Sequence, residues 1–169
     1  MSVWVLLMTA VPGWQSAAEP FGVSSASAIL YEPERGLVLY EKDIHTPRSM
    51  ASTTKVMTGL LALEQGDLDR EITVPAEAVR VEGSALGLRG GDTISMRDLV
   101  IGLLLESGND AANVIAYVLD GSIPAFAERM NARAAEIGMK DTTFVTPSGL
   151  DEGEHSSSAY DMALLAAEA

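Results

Sequence analysis

The chain has 169 residues, the size of one domain and too short for two ordinary ones. Apolar residues make up 47% and charged residues 21%, and 24 acidic against 11 basic side chains give a net charge of -13. That balance describes a globular chain without the basic footprint that nucleic-acid binding needs. The absence of cysteine removes disulfides, thiolate nucleophiles and thiolate-held metals, and the wide spacing of the two histidines, His45 and His155, makes a zinc site an unattractive reading.

Residues 1–18 carry no charge, and Val3 to Val11 has the length of a signal-peptide apolar region, too short to span a bilayer. Ser16 and Ala18 stand where a small-x-small cleavage site would put them. No Lys or Arg precedes Arg35, so the basic leading segment is missing. The expectation is an export signal with an incomplete start, followed by a mature chain from residue 19.

Ser27 to Glu32 and Leu37 to Lys42 are β-prone runs around a turn built on Pro33 and Gly36. Met50 to Glu64 reads as a helix, apolar on more than one face and therefore buried, with Gly66 as its stop. Ile72 to Val74 predicts a short strand, and Gly83 to Asp92 a glycine-rich loop in which Arg89-Gly-Gly-Asp92 is a turn. Met96 to Glu106 and Asp110 to Leu119 are helices broken by Ser107-Gly108-Asn109, with Asp110 placed to cap the second. A further helix runs from about Ile123 to Ile137 and stops at Gly138. Residues 142–156 read as strand then loop, and a last helix runs from about Ser158 to Ala169. No repeat or linker divides the chain.

Lys55 is out of place in a buried helix. It follows Ser52 by three residues, and on a helix that spacing puts both side chains on one face. A serine hydroxyl attacks well only when a neighbouring base takes its proton. Burial favours the neutral lysine that can act as that base, and the positive end of the helix dipole works in the same direction. Gly59, one turn further, would let another backbone or helix approach closely. A solvated lysine at a helix start is the plain alternative. Ser107 and Asn109, two apart in a loop, can face one cleft, where the hydroxyl relays a proton and the amide orients a lysine or binds a substrate amide. Ser, Gly, Asn and Asp are also ordinary turn material. His155 is read as structural, and the acidic cluster Asp151, Glu152 and Glu154 as a solvated loop, since no calcium-loop pattern accompanies it.

Ser-x-x-Lys followed some fifty residues later by Ser-x-Asn is similar to the opening motifs of penicillin-binding proteins and serine β-lactamases. The flanking stretches Ala28 to Glu64, Leu99 to Ala116 (with its GNDAA) and Phe144 to Ala166 resemble the serine D-alanyl-D-alanine carboxypeptidases, the low-molecular-mass penicillin-binding proteins. The resemblance implies an α/β (α+β) transpeptidase fold of the β-lactamase/DD-peptidase kind, a helical cluster on an antiparallel sheet. It implies Ser52 as acylated nucleophile, Lys55 as its base, Ser107 as proton relay to the leaving group and Asn109 as holder of the substrate backbone. The backbone N–H of Ser52 would be one oxyanion donor. It implies no metal and no cofactor, a peptidoglycan stem peptide as substrate, β-lactams as covalent inhibitors, and a place in the bacterial cell envelope, with peripheral membrane association through a further C-terminal part.

The family's third motif, Lys-Thr-Gly, is absent. Met57-Thr58-Gly59 and Pro147-Ser148-Gly149 come nearest and lack the basic residue. In the family that motif follows the segment matched by Phe144 to Ala166. The expectation is therefore a partial catalytic domain over 19–169, lacking the C-terminal strands, marginally stable and inactive alone. Alternatives are a β-lactamase, disfavoured because no Glu-x-x-x-Asn occurs; a DD-endopeptidase, which would look the same; and a non-catalytic module binding wall peptides or β-lactams.

Overall fold

The computed structural model describes residues 22–150 and 153–169. The expected signal segment, and Asp151 and Glu152 of the acidic cluster, lie outside the described residues. The described chain is mixed helix and antiparallel strand. Strands β1 (Ala28–Glu32) and β2 (Leu37–Lys42) form the expected hairpin, with a register shift between Leu30 and Tyr31. Its turn is tied by the Glu32 carboxylate, which accepts the Glu34 and Arg35 N–H groups at 3.0 Å each.

The expected buried helix begins differently. Ala51–Thr54 is a 3-10 turn, and the α-helix α1 runs from Lys55 to Glu64. Met57, Leu60, Leu61 and Ala62 of α1 are buried, and the helix packs against all four other α-helices. Beyond it, β3 (Glu71–Thr73) pairs with β4 (Thr93–Ser95), which the sequence reading left inside a mixed region. Three-residue strands are too short to show alternation, so the pairing partner of Ile72 was not legible.

The helices that follow start on serines. Ser95 accepts the Asp98 N–H at 3.0 Å and opens α2 (Met96–Leu105). Ser122 opens α4 (Ile123–Ile137) and Ser158 opens α5 (Ala159–Glu168) in the same way. Each hydroxyl satisfies an N–H that the first helical turn leaves unpaired. Between α2 and α4, α3 (Asn109–Asp120) differs from the expectation: Gly108 is its cap residue and Asp110 lies inside the first turn.

The core is one cluster, with Phe126, Phe144, Met57, Leu99, Leu103, Ile115, Met130 and Leu165 among its fully buried side chains. Residues 142–156 enter it without forming the expected strand. They make only single β-bridges, Thr143 to Ser156, while Arg48 bridges Ser157. Side chains bind several of the backbone groups here. Asn131 accepts the Phe144 N–H and donates to its carbonyl, both at 2.8 Å, and Asp161 accepts the Asp141 N–H at 2.7 Å. This irregular segment lies directly against the start of α1.

Candidate active site

The 3-10 turn leaves Ser52 exposed at the head of α1, while Lys55, one turn on, is only 3% exposed. Lys55 Nζ lies 3.3 Å from Ser52 Oγ and donates to the Ser148 carbonyl at 2.7 Å. Burial holds the Lys55 ammonium below the ordinary lysine range, since removing water penalises the charged form. No carboxylate pairs with it among the described residues. The spacing of Ser52 and Lys55 has thus put the two groups together, through a 3-10 turn instead of an α-helical one.

Ser107 comes from the connection between α2 and α3. Its φ of +56° is a left-handed conformation uncommon for a residue with a side chain. That turn aims its hydroxyl at the α1 turn, where it donates to Ser52 Oγ at 3.1 Å. Ser52 therefore stands between a buried amine and a second hydroxyl. A cavity of 290 Å³ adjoins all three residues, walled by Thr53, Val56, Leu103 and Leu104.

Asn109 opens α3 directly after this connection. Its Nδ2 donates to the Glu82 carbonyl at 2.7 Å, and its backbone N–H donates to the Ser84 carbonyl at 2.8 Å. The amide fastens the 82–84 loop and makes no bond to Lys55 among the described residues. The Lys55 amine is held by the Ser148 carbonyl.

Asp110 supports the same loop. Its carboxylate is 1% exposed and accepts the N–H groups of Leu86, Gly87, Leu88 and its own neighbour Ala111 at 2.9–3.0 Å. The expected turn at Arg89-Gly-Gly-Asp92 follows, closed by Arg89 N–H on the Asp92 carboxylate at 2.8 Å.

His155 is structural, as read from the sequence. It is 4% exposed, and its Nδ1 accepts the Val145 N–H at 2.9 Å. The ring proton therefore belongs on Nε2, which faces Thr54 Oγ1 at 2.8 Å. The Thr54–His155 pair ties the irregular 142–156 segment to the residue preceding Lys55. Thr58 does the same one turn on, donating to the Pro147 carbonyl at 2.7 Å.

Gly59 faces α2, as expected of a contact position, but not at backbone distance. A Cβ there would meet Leu104 Cδ2 at 3.6 Å and Leu103 Cδ2 at 3.7 Å, ordinary van der Waals contacts. Among the described residues no group of three or more His, Cys, Asp or Glu side chains could hold a metal ion.

This arrangement of helices and hairpin has counterparts among known proteins. A family model described as D-alanyl-D-alanine carboxypeptidase matches residues 14–169. The chain belongs to that family. D-alanyl-D-alanine carboxypeptidase DacF of Bacillus subtilis is 38% identical over 147 residues, which are 84% of this chain and 38% of the relative. The solved D-alanyl-D-alanine carboxypeptidase DacD of Francisella tularensis superposes with a TM-score of 0.83 at 35% identity, covering 88% of this chain and 37% of that one. Penicillin-binding protein D2 of Listeria monocytogenes, solved in an ampicillin-bound form, gives a TM-score of 0.76 at 34% identity, over 87% of this chain and 62% of that one. The fold is that of the low-molecular-mass penicillin-binding proteins, and the chain spans about two fifths of the length of the first curated relative (38%).

The sequence does not signal the Ser148 carbonyl: Pro147-Ser148-Gly149 reads there only as a tripeptide that fails the third motif, and a backbone carbonyl leaves no mark on residue identity.

Proposed function

We propose that Ser52 is the acylated nucleophile of a serine D-Ala-D-Ala carboxypeptidase centre, with Lys55 as its general base. The observation that carries this is the position of Ser52 Oγ, 3.3 Å from a buried lysine amine and 3.1 Å from the Ser107 hydroxyl. Neutral Lys55 can keep one N–H on the Ser148 carbonyl and turn its lone pair to the Ser52 proton. Ser52 Oγ then attacks the carbonyl of the penultimate D-Ala, and Lys55 takes the proton. The tetrahedral intermediate collapses as the proton held by Lys55 passes through the Ser107 hydroxyl to the departing amine of the terminal D-Ala, which leaves Lys55 neutral again. Water, deprotonated by Lys55, cleaves the resulting ester and returns the proton to Ser52. The Ser52 N–H would serve as one oxyanion donor. Asn109 would hold the substrate backbone through amide valences not used on Glu82. β-Lactams would acylate the same serine, a reading supported by the ampicillin-bound Listeria neighbour.

The substrate of this reading is the D-Ala-D-Ala end of a peptidoglycan stem peptide, which places the activity in the bacterial envelope after export. No described helix is long and apolar enough to cross a membrane. The chain carries no Lys-Thr-Gly. Turnover in this reading therefore requires a polypeptide that brings that motif to the serine centre, and residues 19–169 by themselves release no D-Ala. The test is D-Ala release from a D-Ala-D-Ala peptide by the full gene product and by residues 19–169. Release by the former alone is expected, and release by 19–169 as a cooperatively melting monomer contradicts the requirement.

The absence of Lys-Thr-Gly also favours a second reading, a non-catalytic module that binds wall peptides or β-lactams. The nucleotide sequence after the Ala169 codon separates the two. An open frame that reaches Lys-Thr-Gly supports the enzyme, and a stop codon there supports the module.

A further inference from the structure

Ala51, immediately before Ser52, has φ +45°, a left-handed conformation that an alanine adopts only at a cost. Something outside the turn must hold it there. The contact is Gly149, itself at φ +85°. A Cβ at 149 would overlap the Ala51 carbonyl oxygen outright, and would stand 2.5 Å from the Ala51 carbonyl carbon and 2.8 Å from Thr54 Oγ1. Real Cβ atoms do not come this close to backbone, so bare glycine backbone is lying on the peptide that leads into Ser52.

The turn carrying Gly149 is fastened on both sides. Thr146 Oγ1 accepts the Gly149 N–H at 3.2 Å and donates to the Leu150 carbonyl at 3.1 Å. Toward α1, Ser148 accepts from Lys55, Pro147 accepts from Thr58, and His155 joins Val145 to Thr54. We infer that Gly149 is a positioning residue of the serine centre: its bare backbone braces the Ala51 peptide in its left-handed turn and so fixes the separation of Ser52 Oγ and Lys55 Nζ. The inference rests on the proposed roles of Ser52 and Lys55. A side chain at 149 would lift the turn off Ala51, carry the Ser148 carbonyl away from Lys55, and admit water to the amine.

The experiment compares Gly149→Ala, Gly149→Ala with Ala51→Gly, and Thr146→Val in the full gene product. It reads the melting temperature, the acylation rate by a fluorescent penicillin across pH, and the Lys55 titration by NMR of its labelled Cε. Gly149→Ala is expected to lower acylation at least ~10-fold, the scale on which small misplacements act. It should also move the Lys55 titration and the ascending, acid-side limb of the rate profile upward. Ala51→Gly should restore part of the rate, since glycine lets the 51 carbonyl swing clear without strain. Thr146→Val, which touches neither Ser52 nor Lys55, should show the same shifts in smaller measure and keeps the test open if Gly149→Ala does not fold. Folded variants that melt lower but keep the wild-type rate and Lys55 titration would overturn the inference. If the unaltered protein takes no penicillin, the serine reading fails, and the Lys55 titration still decides the role of Gly149.

Discussion

Lys55 is the residue where burial and chemistry meet. Its folded-state pKa lies below the ordinary lysine value because burial disfavours the charge. Between the lowered value and about 10.4 the unfolded chain binds more protons at this site than the folded one. Stability contributed by this site therefore rises with pH through that window, and below it the charged amine opposes folding. Lys55→Met should then be most favourable to stability, relative to the unaltered protein, below the window, and lose that advantage as pH rises through it. Paired urea titrations from neutral to alkaline pH would measure this; a stability difference that does not change with pH would contradict it. Asp110 makes the opposite case, a buried carboxylate with four N–H partners. Asp110→Ala leaves the 86–88 N–H groups without it and should cost at least ~2 kcal/mol by urea unfolding. Ser52, Lys55 and Ser107 were legible in the sequence because a three-residue spacing and a short polar loop are local signals. Ser148 and Gly149 were not. They reach α1 from some ninety residues away (Lys55 to Ser148 spans 93), and act through a carbonyl and a missing side chain.

At the scale of elements, the reading was most accurate where periodicity or a cap was strong. The hairpin, α2 and α4 lie where the β-prone runs around Pro33 and Gly36, the helical patterns and the stop at Gly138 put them. It failed where side chains outside the segment decide the backbone. Residues 142–156 have a strand-like pattern, yet Asn131 binds both the N–H and the carbonyl of Phe144, groups a ladder would use. The 3-10 start of α1 is a similar case, since Gly149 against Ala51 imposes a turn that local propensity does not specify. Gly59 within α1 and Gly149 against its leading turn should therefore behave oppositely. Gly59 meets only leucine side-chain ends at 3.6–3.8 Å, and Gly59→Ala should raise stability by about 0.5–1 kcal/mol through helix propensity. Thermal melting would check this; a loss of stability would mean that α1 and α2 sit closer than 3.6 Å contacts imply.

For the molecule as a whole, the uncovered apolar surface is the main feature. Leu30, Leu37, Val38 and Leu39 of the two-stranded hairpin are 37–60% exposed, and Leu104 and Leu105 at the end of α2 are 51% and 78% exposed. Apolar clusters of this kind promote association, and a two-stranded edge offers unpaired backbone groups. Residues 22–169 alone should therefore self-associate at micromolar concentration. Leu39→Lys should reduce that association, measured by sedimentation, without lowering the melting temperature, since Leu39 is 60% exposed. The net charge of -13 does not prevent this, because a hydrophobic strand edge acts at contact, whereas charge acts over a Debye length. The family assignment is independent of these surfaces, since it rests on the match over residues 14–169 and on the shared fold. The central claim is chemical: one serine, activated by one buried lysine. Its most direct measurement is labelling of the full gene product by a fluorescent penicillin, with the adduct located by mass spectrometry. The account predicts an ester on Ser52, no label in Ser52→Ala, and a loss of at least ~100-fold in rate in folded Lys55→Ala. A label that survives Ser52→Ala, or an adduct on another residue, would contradict it.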